Sequence, residues 1–152
     1  MPALIRKFHE AKLSGASGVT VWGTGTPLRE FMHVDDLADA CVFLMNLDDG
    51  CFGGLLTHQS APALINVGSG QEISIADLAI MVKRIAGFDG EILFDAAKPD
   101  GTLRKLADSS RIHSLGWKHR IELEQGVQEA YGWYMKSLAA QQDTCSKYEH
   151  FP

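Results

Sequence analysis

The residues best suited to bind a ligand stand in residues 21–36, VWGTGTPLREFMHVDD. Trp22 ends a short apolar run, and its ring could stack on the face of a base or a sugar. Arg29 follows a turn with two glycines and a proline, and its guanidinium group has the fork geometry that matches phosphate oxygens. A core tryptophan and a solvated arginine at a strand edge are the ordinary alternatives. The stretch therefore indicates a candidate binding site for a nucleotide-like ligand.

A second charged stretch, residues 98–105, KPDGTLRK, places three cations around a strong turn signal. Arg104 and Lys105 could contact a diphosphate there, and Asp100 could accept a hydrogen bond from a sugar hydroxyl. A charged surface loop is the alternative interpretation. Lys7 lies on the polar side of the first predicted helix, where a surface lysine is the ordinary interpretation.

The sequence contains no recognisable group of catalytic residues. Two glycine pairs lack the third glycine of a dinucleotide fingerprint GxGxxG, because Leu28 and Ile73 occupy the required positions. No tyrosine is followed by a lysine four residues later, and no nucleophile elbow GxSxG occurs. The histidines show no paired spacing of metal ligands. We expect no catalysis from the residues of this chain alone.

The elements that must position the candidate residues alternate between strands and helices, which indicates an α/β chain. The predicted helices cover residues 2–12, 36–47, 74–86, 108–115 and 122–137. The predicted strands cover residues 19–22, 29–34, 64–67 and 91–94, with a loop over residues 49–63. Asp35 or Asp36 is predicted to cap the second helix, since adjacent carboxylates diverge on a helix and make a poor catalytic pair.

Length and composition predict one soluble domain with a hydrophobic core. The net charge of −5 argues against a general nucleic-acid-binding protein. The longest apolar stretch, residues 40–45, is too short to span a membrane. The first residues show no charged-then-apolar leader pattern, so we expect no secretion. Three widely spaced cysteines suggest neither disulfides nor zinc, so we expect a cytoplasmic protein. We expect a domain over residues 1–138 and a frayed polar tail over residues 139–152.

Together, these segments resemble the C-terminal half of the bacterial GDP-L-fucose synthases, which are extended short-chain dehydrogenases/reductases that act on nucleotide sugars. The matching stretches include VTVWGTGTPLREFMHVDDLADA, INVGSG and FDAAKPDGTLRK, and the resemblance covers about residues 2–136. REFMHVDDLA and INVGSG resemble elements of many nucleotide-sugar epimerases and dehydratases. The combination of VWGTGTPLREF with FDAAKPDGTLRK is more particular to the fucose synthases.

The resemblance implies a substrate-binding role. Members of that family convert GDP-4-keto-6-deoxy-D-mannose to GDP-L-fucose by epimerisation at two sugar carbons and reduction of the keto group with NADPH. The positions that correspond to GDP-sugar contacts are Lys7, Trp22, Arg29, Asp100 and Lys105. Trp22 would lie along the nucleotide or sugar, Arg29 and Lys105 near the diphosphate, and Asp100 on a polar group. Some members carry arginine in place of Lys7.

The same resemblance implies that the NADP-binding loop, the Ser/Tyr/Lys reduction group and the Cys and His of epimerisation lie upstream of Met1. We therefore expect a chain that lacks the N-terminal Rossmann half, with no catalytic residue and no NADP site of its own. In the family, residues 35–47 and 64–70 pack against the cofactor domain. Exposure of that apolar surface would favour self-association or a partner. A non-catalytic interaction module and an epimerase of another nucleotide sugar remain alternatives.

Overall fold

The computed structural model describes residues 1–57 and 64–148, and within them helices and strands alternate. The helices are α1 (Pro2–Ser14), α2 (Val34–Met45), α3 (Asp49–Thr57), α4 (Ile75–Ala86), α5 (Ser110–Ser114) and α6 (Leu123–Tyr148). The strands are β1 (Gly18–Trp22), β2 (Leu28–Glu30), β3 (Glu72–Ser74), β4 (Glu91–Asp95) and β5 (Arg104–Lys105). This alternation confirms the predicted α/β class. No helix in the described part is long and apolar enough to cross a membrane.

Two small sheets carry the residues of interest. β1 and β4 pair in parallel, with Trp22 opposite Asp95 at the last position of both strands. β2 is the central strand of the other sheet, antiparallel to β3 and parallel to β5. Arg29 lies opposite Ile73 on one side and Lys105 on the other. Because residues paired across strands present their side chains on the same face, Arg29 and Lys105 share a face of this sheet.

The main hydrophobic core lies where α1, α4 and α6 pack against the β1–β4 pair. Its almost completely buried members include Phe8, Leu78, Val82 and Val127. Burying a side chain of this kind contributes roughly 1.5–3 kcal/mol. On β1, Val19 and Val21 face this core, and the two-residue period of a strand turns Trp22 towards solvent. The core thus fixes the strand end that presents the tryptophan.

A smaller core lies beside α2 and α5. Its buried members are Ala40, Ile112 and Trp117. The Trp117 Nε1–H donates to Oδ2 of Asp39 at 2.9 Å, which satisfies the polar atom of that ring. The predicted strand over residues 64–67 is wrong, because this segment makes no sheet pairing. Its half-buried side chains Ile65 and Val67 pack on the smaller core instead. The apolar residues of this segment therefore serve side-chain packing and not the pairing of strands.

The predicted strand over residues 29–34 is longer than the observed one, because β2 ends at Glu30. Its neighbours are short, with three residues in β3 and two in β5. A strand continues only while its N–H and C=O groups find partners on a neighbour, so the ladder ends where those neighbours end. Phe31 and Met32 continue the alternation by packing on the two cores.

The predicted loop over residues 49–63 contains the helix α3. Asp48 explains where this helix begins, since its Oδ1 accepts from the Cys51 N–H at 2.9 Å. That hydrogen bond lowers the pKa of Asp48. The sequence did not predict this helix because α3 contains glycines, and glycine is unfavourable inside a helix. Residues 58–63, the rest of the predicted loop, lie outside the described residues.

The predicted cap of α2 is wrong. His33 is the N-cap, and its Nδ1 accepts from the Asp35 N–H at 3.3 Å. Asp36 is buried, and its two oxygens accept from the backbone N–H groups of Arg120 at 3.0 Å and Ile121 at 3.1 Å. A buried carboxylate needs such donors, so Asp36 joins α2 to the segment before α6.

The predicted boundary between residues 1–138 and a tail over residues 139–152 falls inside α6. This helix continues to Tyr148, so residues 139–148 are helical in the structure. The last four residues lie outside the described part. The predicted boundary after residue 138 therefore does not coincide with the end of a helix or strand.

Candidate functional site

Trp22 forms an exposed aromatic surface at the end of β1. Its exposed fraction is 67%, which rules out the core interpretation of this residue. The Lys98 Nζ lies 5.5 Å from the centroid of its ring, and the Lys7 Nζ lies 5.8 Å from it. Both are cation–π distances. The Lys7 ammonium also donates to the Thr20 carbonyl at 3.0 Å, which holds it beside the strand.

Asp100 joins the turn after Trp22 to the charged loop 96–103. Its Oδ1 accepts from the Thr24 N–H at 2.9 Å, and its Oδ2 accepts from the Thr24 hydroxyl at 2.7 Å. Gly23 has a φ of 82°, and a Cβ added there would lie 2.1 Å from Asp100 Oδ1. Each carboxylate oxygen can accept more than one hydrogen bond. Asp100 therefore has a structural role and keeps capacity to accept from a ligand.

Arg29 extends its guanidinium group towards the same loop. Its Nη1 donates to the Leu28 carbonyl at 2.6 Å, and its Nη2 lies 2.9 Å from the position that a Cβ on Gly101 would occupy. Lys105 is exposed on the neighbouring strand, opposite Arg29 and on the same face. The sheet thus places two cations side by side, next to the loop that carries Asp100.

Arg104 lies on the opposite face of that sheet and is neutralised within the protein. Its Nε donates to both carboxylate oxygens of Glu72 at 2.9 Å, and its Nη2 donates to Glu72 Oε2 at 2.6 Å. These hydrogen bonds hold the pKa of Glu72 below its usual value. Of the two cations that sequence reasoning offers to a diphosphate, only Lys105 shares the face of Arg29.

Glu30 is a residue of the site that sequence reasoning missed. Its Oε1 accepts from the Gly70 N–H at 2.7 Å, and its Oε2 accepts from the Ala107 N–H at 3.1 Å. A Cβ on Gly68 would lie 2.4 Å from Glu30 Oε1, so the glycine turn fits closely around the carboxylate. Glu30 therefore holds β2 against the turn 68–70 and against the segment that follows β5. The adjacency of Glu30 to Arg29 is the only sequence signal for this role.

The arginine–carboxylate ion pairs of the described residues involve arginines other than Arg29. Four arginines form ion pairs with carboxylates, namely Arg6 with Glu10, Arg84 with Glu124, Arg104 with Glu72 and Arg120 with Asp39. Among the described residues, the cations of the site make no such pair. We call Trp22 with these cations, Lys7, Arg29, Lys98 and Lys105, the cationic surface. In a chain of net charge −5, this local excess of positive charge suits an anionic ligand.

Metal binding has no support in the described ranges. Within residues 1–57 and 64–148, no group of three or more His, Cys, Asp or Glu side chains could hold a metal ion. Cys41 and Cys51 are exposed free thiols. The cationic surface offers positive charge and hydrogen-bond donors beside an aromatic ring.

A second surface is apolar and lies between the start of α1 and the middle of α6. It is a groove of about 790 Å³, which we call the α1–α6 groove. Its apolar lining includes Met1, Pro2, Ile5, Val34, Trp133 and Tyr134. Trp133 is 71% exposed. Elsewhere on the surface, α2 exposes Val42 and Met45, whereas Ile65 and Val67 are partly covered by the smaller core. The predicted apolar surface over residues 35–47 is thus present in the structure.

Comparison with known proteins relates this chain to nucleotide-sugar enzymes. Residues 1–53 match the family model described as "NAD dependent epimerase/dehydratase family". The chain is 53% identical over 138 residues to GDP-L-fucose synthase 1 of Arabidopsis thaliana, covering 91% of this chain and 39% of that protein. It is 46% identical over 137 residues to GDP-L-fucose synthase of Escherichia coli (strain K12), covering 90% of this chain and 42% of that protein. The likeness therefore extends to plant as well as bacterial proteins.

A solved structure shares the fold. The GDP-mannoheptose C4 reductase from Campylobacter jejuni with NADP bound superposes with a TM-score of 0.75 at 44% identity, covering 88% of this chain and 44% of that one. The α/β fold of the chain thus matches part of an extended short-chain dehydrogenase/reductase structure. The chain spans about two fifths of the length of the curated relatives named above.

Proposed function

We propose that this chain is the GDP-sugar-binding portion of a GDP-L-fucose synthase, an NADPH-dependent enzyme that epimerises and reduces GDP-4-keto-6-deoxy-D-mannose. One structural observation carries the proposal: the cationic surface, in which an exposed tryptophan stands beside cations that have no carboxylate partner in the described residues. The identity to GDP-L-fucose synthases from a plant and a bacterium supports the choice of ligand.

The arrangement suits a nucleoside diphosphate sugar. The Trp22 ring offers a flat surface for the base or the sugar, since every base has an aromatic face that can stack. Arg29 and Lys105 present donors from one face of the sheet to the diphosphate, because charge-assisted hydrogen bonds to phosphate oxygens are the strong ones. Asp100 accepts from a ligand hydroxyl while it holds Thr24. Lys7 adds a cation beside the ring.

Under this proposal, the reaction depends on the part of the relatives that the chain does not match. When bound there, NADPH supplies the hydride that reduces the keto group. We assign no residue of this chain to NADP binding and none to proton transfer. The contribution of this chain is to hold the GDP-sugar in place, which lowers the entropic cost of the chemical steps.

Calorimetric titration of the full chain with GDP-sugar, UDP-sugar and dTDP-sugar tests the proposal. We expect tightest binding to the GDP-sugar and no binding of NADPH. Arg29→Ala should weaken the GDP-sugar by about tenfold or more, because a charge-assisted hydrogen bond is worth about 1.5–3 kcal/mol. Arg84→Ala is the matched control, because Arg84 pairs with Glu124 away from the cationic surface. Tightest binding to a UDP-sugar, or equal losses in the two variants, would refute the proposal.

A second candidate function is a self-associating module. The α1–α6 groove favours it, because an exposed apolar groove of this kind commonly marks an interaction site. Arg6 and Glu129 both line the groove, so a two-fold-related second copy could place opposite charges against each other. We propose a second copy of the chain as the occupant.

Sedimentation at tens of micromolar tests this second candidate. We expect a dimer or larger species and binding of a hydrophobic dye that falls as the protein associates. A strictly monomeric profile without dye binding would exclude it. The GDP-sugar titration is independent of this result, so the two candidate functions are separable.

A further inference from the structure

Lys98 is a cation of the site to which the resemblance gives no role. Its ammonium lies 5.5 Å from the centroid of the Trp22 ring, slightly nearer than that of Lys7 at 5.8 Å. The geometry points to Lys98 as a further phosphate-binding residue, which engages the anionic part of the nucleotide together with Lys7. This inference rests on the proposed function and adds a contact to the same site.

The backbone of Lys98 is fixed beside the tryptophan. The carbonyl oxygen of Asp95, opposite Trp22 at the end of β4, accepts from the Lys98 N–H at 3.1 Å and from the Gly23 N–H at 3.0 Å. One carbonyl thus joins the turn after Trp22 to the turn that carries Lys98. The Oδ1 of Asp95 also accepts from the Ala97 N–H at 3.1 Å, which closes this second turn.

The chain is anchored again immediately after Lys98. Pro99 restricts the backbone at the next position, and Asp100 is held by two hydrogen bonds from Thr24. Lys98 therefore stands between two anchored points and differs from a lysine on a free loop. Little backbone entropy remains to be lost when a ligand binds, which favours its use as a contact.

Within the described residues, neither Lys7 nor Lys98 forms an ion pair with a carboxylate. Both ammonium groups lie near the Trp22 ring, and the attraction of an exposed ring for a cation is weak. The ion pairs that the described residues do form involve other side chains, namely Arg6, His33, Arg84, Arg104 and Arg120. A phosphate group bound beside the ring would supply negative charge and accept charge-assisted hydrogen bonds from the ammonium groups.

Titration of the full chain with GDP, guanosine and inorganic pyrophosphate tests this role. Lys98→Gln should weaken GDP and pyrophosphate about three- to tenfold, as expected for one charged hydrogen bond at an exposed site. Guanosine, which has no phosphate, should bind unchanged. Lys98→Arg should keep most of the affinity for GDP. Lys118→Gln is the matched control, because Lys118 is also exposed but lies beside α2 on a different surface.

Each result separates this inference from the proposed function. If Lys98→Gln binds GDP like the wild type while Arg29→Ala binds it weakly, the role of Lys98 is refuted and the GDP-sugar site stands. If Lys98→Gln weakens guanosine as much as GDP, Lys98 acts on the ring and the phosphate role is refuted. If the chain binds pyrophosphate as tightly as GDP and this binding needs Lys98, the contact of Lys98 with phosphate is supported. The GDP-sugar proposal is then refuted. A wild-type chain that binds neither GDP nor pyrophosphate refutes both.

Discussion

Two exposed tryptophans stand in opposite chemical surroundings. Trp22 is 67% exposed and Trp133 is 71% exposed, so exposure does not distinguish them. Lysine ammonium groups lie beside the ring of Trp22, whereas Trp133 lines an apolar groove with Met1 and Pro2. The neighbours of an exposed aromatic ring, and not its exposure, decide which kind of ligand it can bind.

The two surfaces should also respond differently to solvent. The attraction of the cationic surface for an anion falls as salt screens its charges, with a Debye length of about 10 Å at 0.1 M ionic strength. Under the second proposal, association through the α1–α6 groove would rest on burial of apolar area, at roughly 25 cal/mol per Å², and should be far less sensitive to salt. A GDP titration and a sedimentation experiment at two salt concentrations would therefore separate them.

The largest effect is expected from disruption of the turn that presents Trp22. Gly23→Ala adds a Cβ at a φ of 82° and within 2.1 Å of Asp100 Oδ1. We expect a loss of about 2–4 kcal/mol in the free energy of unfolding, from backbone strain and from the broken hydrogen bonds of Asp100. GDP-sugar binding should be lost as well. Urea denaturation and calorimetry measure the two effects.

Gly15→Ala is the control for that variant. Gly15 has a φ of 64°, but a Cβ added there meets no atom within 4 Å. This variant should show backbone strain alone, about 1 kcal/mol, and should bind the GDP-sugar normally. Equal destabilisation by the two variants would mean that the contact of Gly23 with Asp100 contributes nothing.

Separate substitution of the two tryptophans is the next test. Trp22→Ala should weaken the GDP-sugar about tenfold, because stacking of a base on an aromatic ring is worth about 1–3 kcal/mol, and should leave association unchanged. Trp133→Ala should shift the sedimentation profile towards monomer and leave GDP-sugar binding unchanged. If either variant changed GDP-sugar binding and self-association equally, the two surfaces would not have separate functions.

A smaller effect is expected at Glu30, which acts on the cationic surface through Arg29 and Lys105. Glu30→Gln keeps the shape but replaces one acceptor oxygen by an NH₂ group, so it should cost about 1–3 kcal/mol of stability. As a positioning residue, Glu30 should affect GDP more than guanosine, because the displaced cations would contact phosphate. Glu10→Gln, at an exposed ion pair on α1, is the control. Equal loss of GDP and guanosine binding would indicate a purely structural role.

The smallest effect is expected on the opposite face of the sheet, where Arg104 lowers the pKa of Glu72. A carboxyl whose pKa is lower in the folded state contributes stability above its unfolded pKa, about 4.3 for Glu, and loses it as the pH falls through the folded pKa. Glu72→Gln should therefore be slightly less stable than the wild type at pH 7, and the difference should vanish in acid. Thermal unfolding at a series of pH values measures this, with the exposed Glu91→Gln as control. A difference that persists in acid would contradict the assigned cause.

Local sequence signals predicted the elements whose residues interact with near neighbours in the chain. Ser74 accepts from the Asp77 N–H at 3.0 Å to cap α4, and Gly87 ends that helix with a φ of 65°, as their spacing predicts. β1 and β4 were equally predictable, because their apolar residues form short runs bounded by glycine or proline turns. The helix α3 was missed, since its start depends on one aspartate and its interior is rich in glycine.

The candidate site was only partly predictable. Residue type and resemblance single out Trp22, Arg29, Asp100 and Lys105. Their roles as GDP-sugar contacts remain predictions for the titrations above. Neither the residue types nor the resemblance indicates that Asp100 accepts hydrogen bonds from Thr24. Nor do they indicate that Glu30 accepts from the backbone N–H groups of Gly70 and Ala107. These contacts join residues forty or more positions apart, and no local pattern encodes such a pairing.

The sequence by itself determined the α/β class, the helix caps at Ser74 and Gly87, and the presence of a tryptophan and several cations in two short stretches. The tertiary structure alone decided which cations are available. Arg104 and Lys105 are adjacent in sequence, yet the pleat of β5 turns Arg104 to Glu72 and Lys105 to the face of Arg29. It also brought Lys98 to Trp22 through a shared carbonyl of Asp95. The physical reason is that charge and ring chemistry belong to single residues, whereas their neutralisation depends on which strands pair.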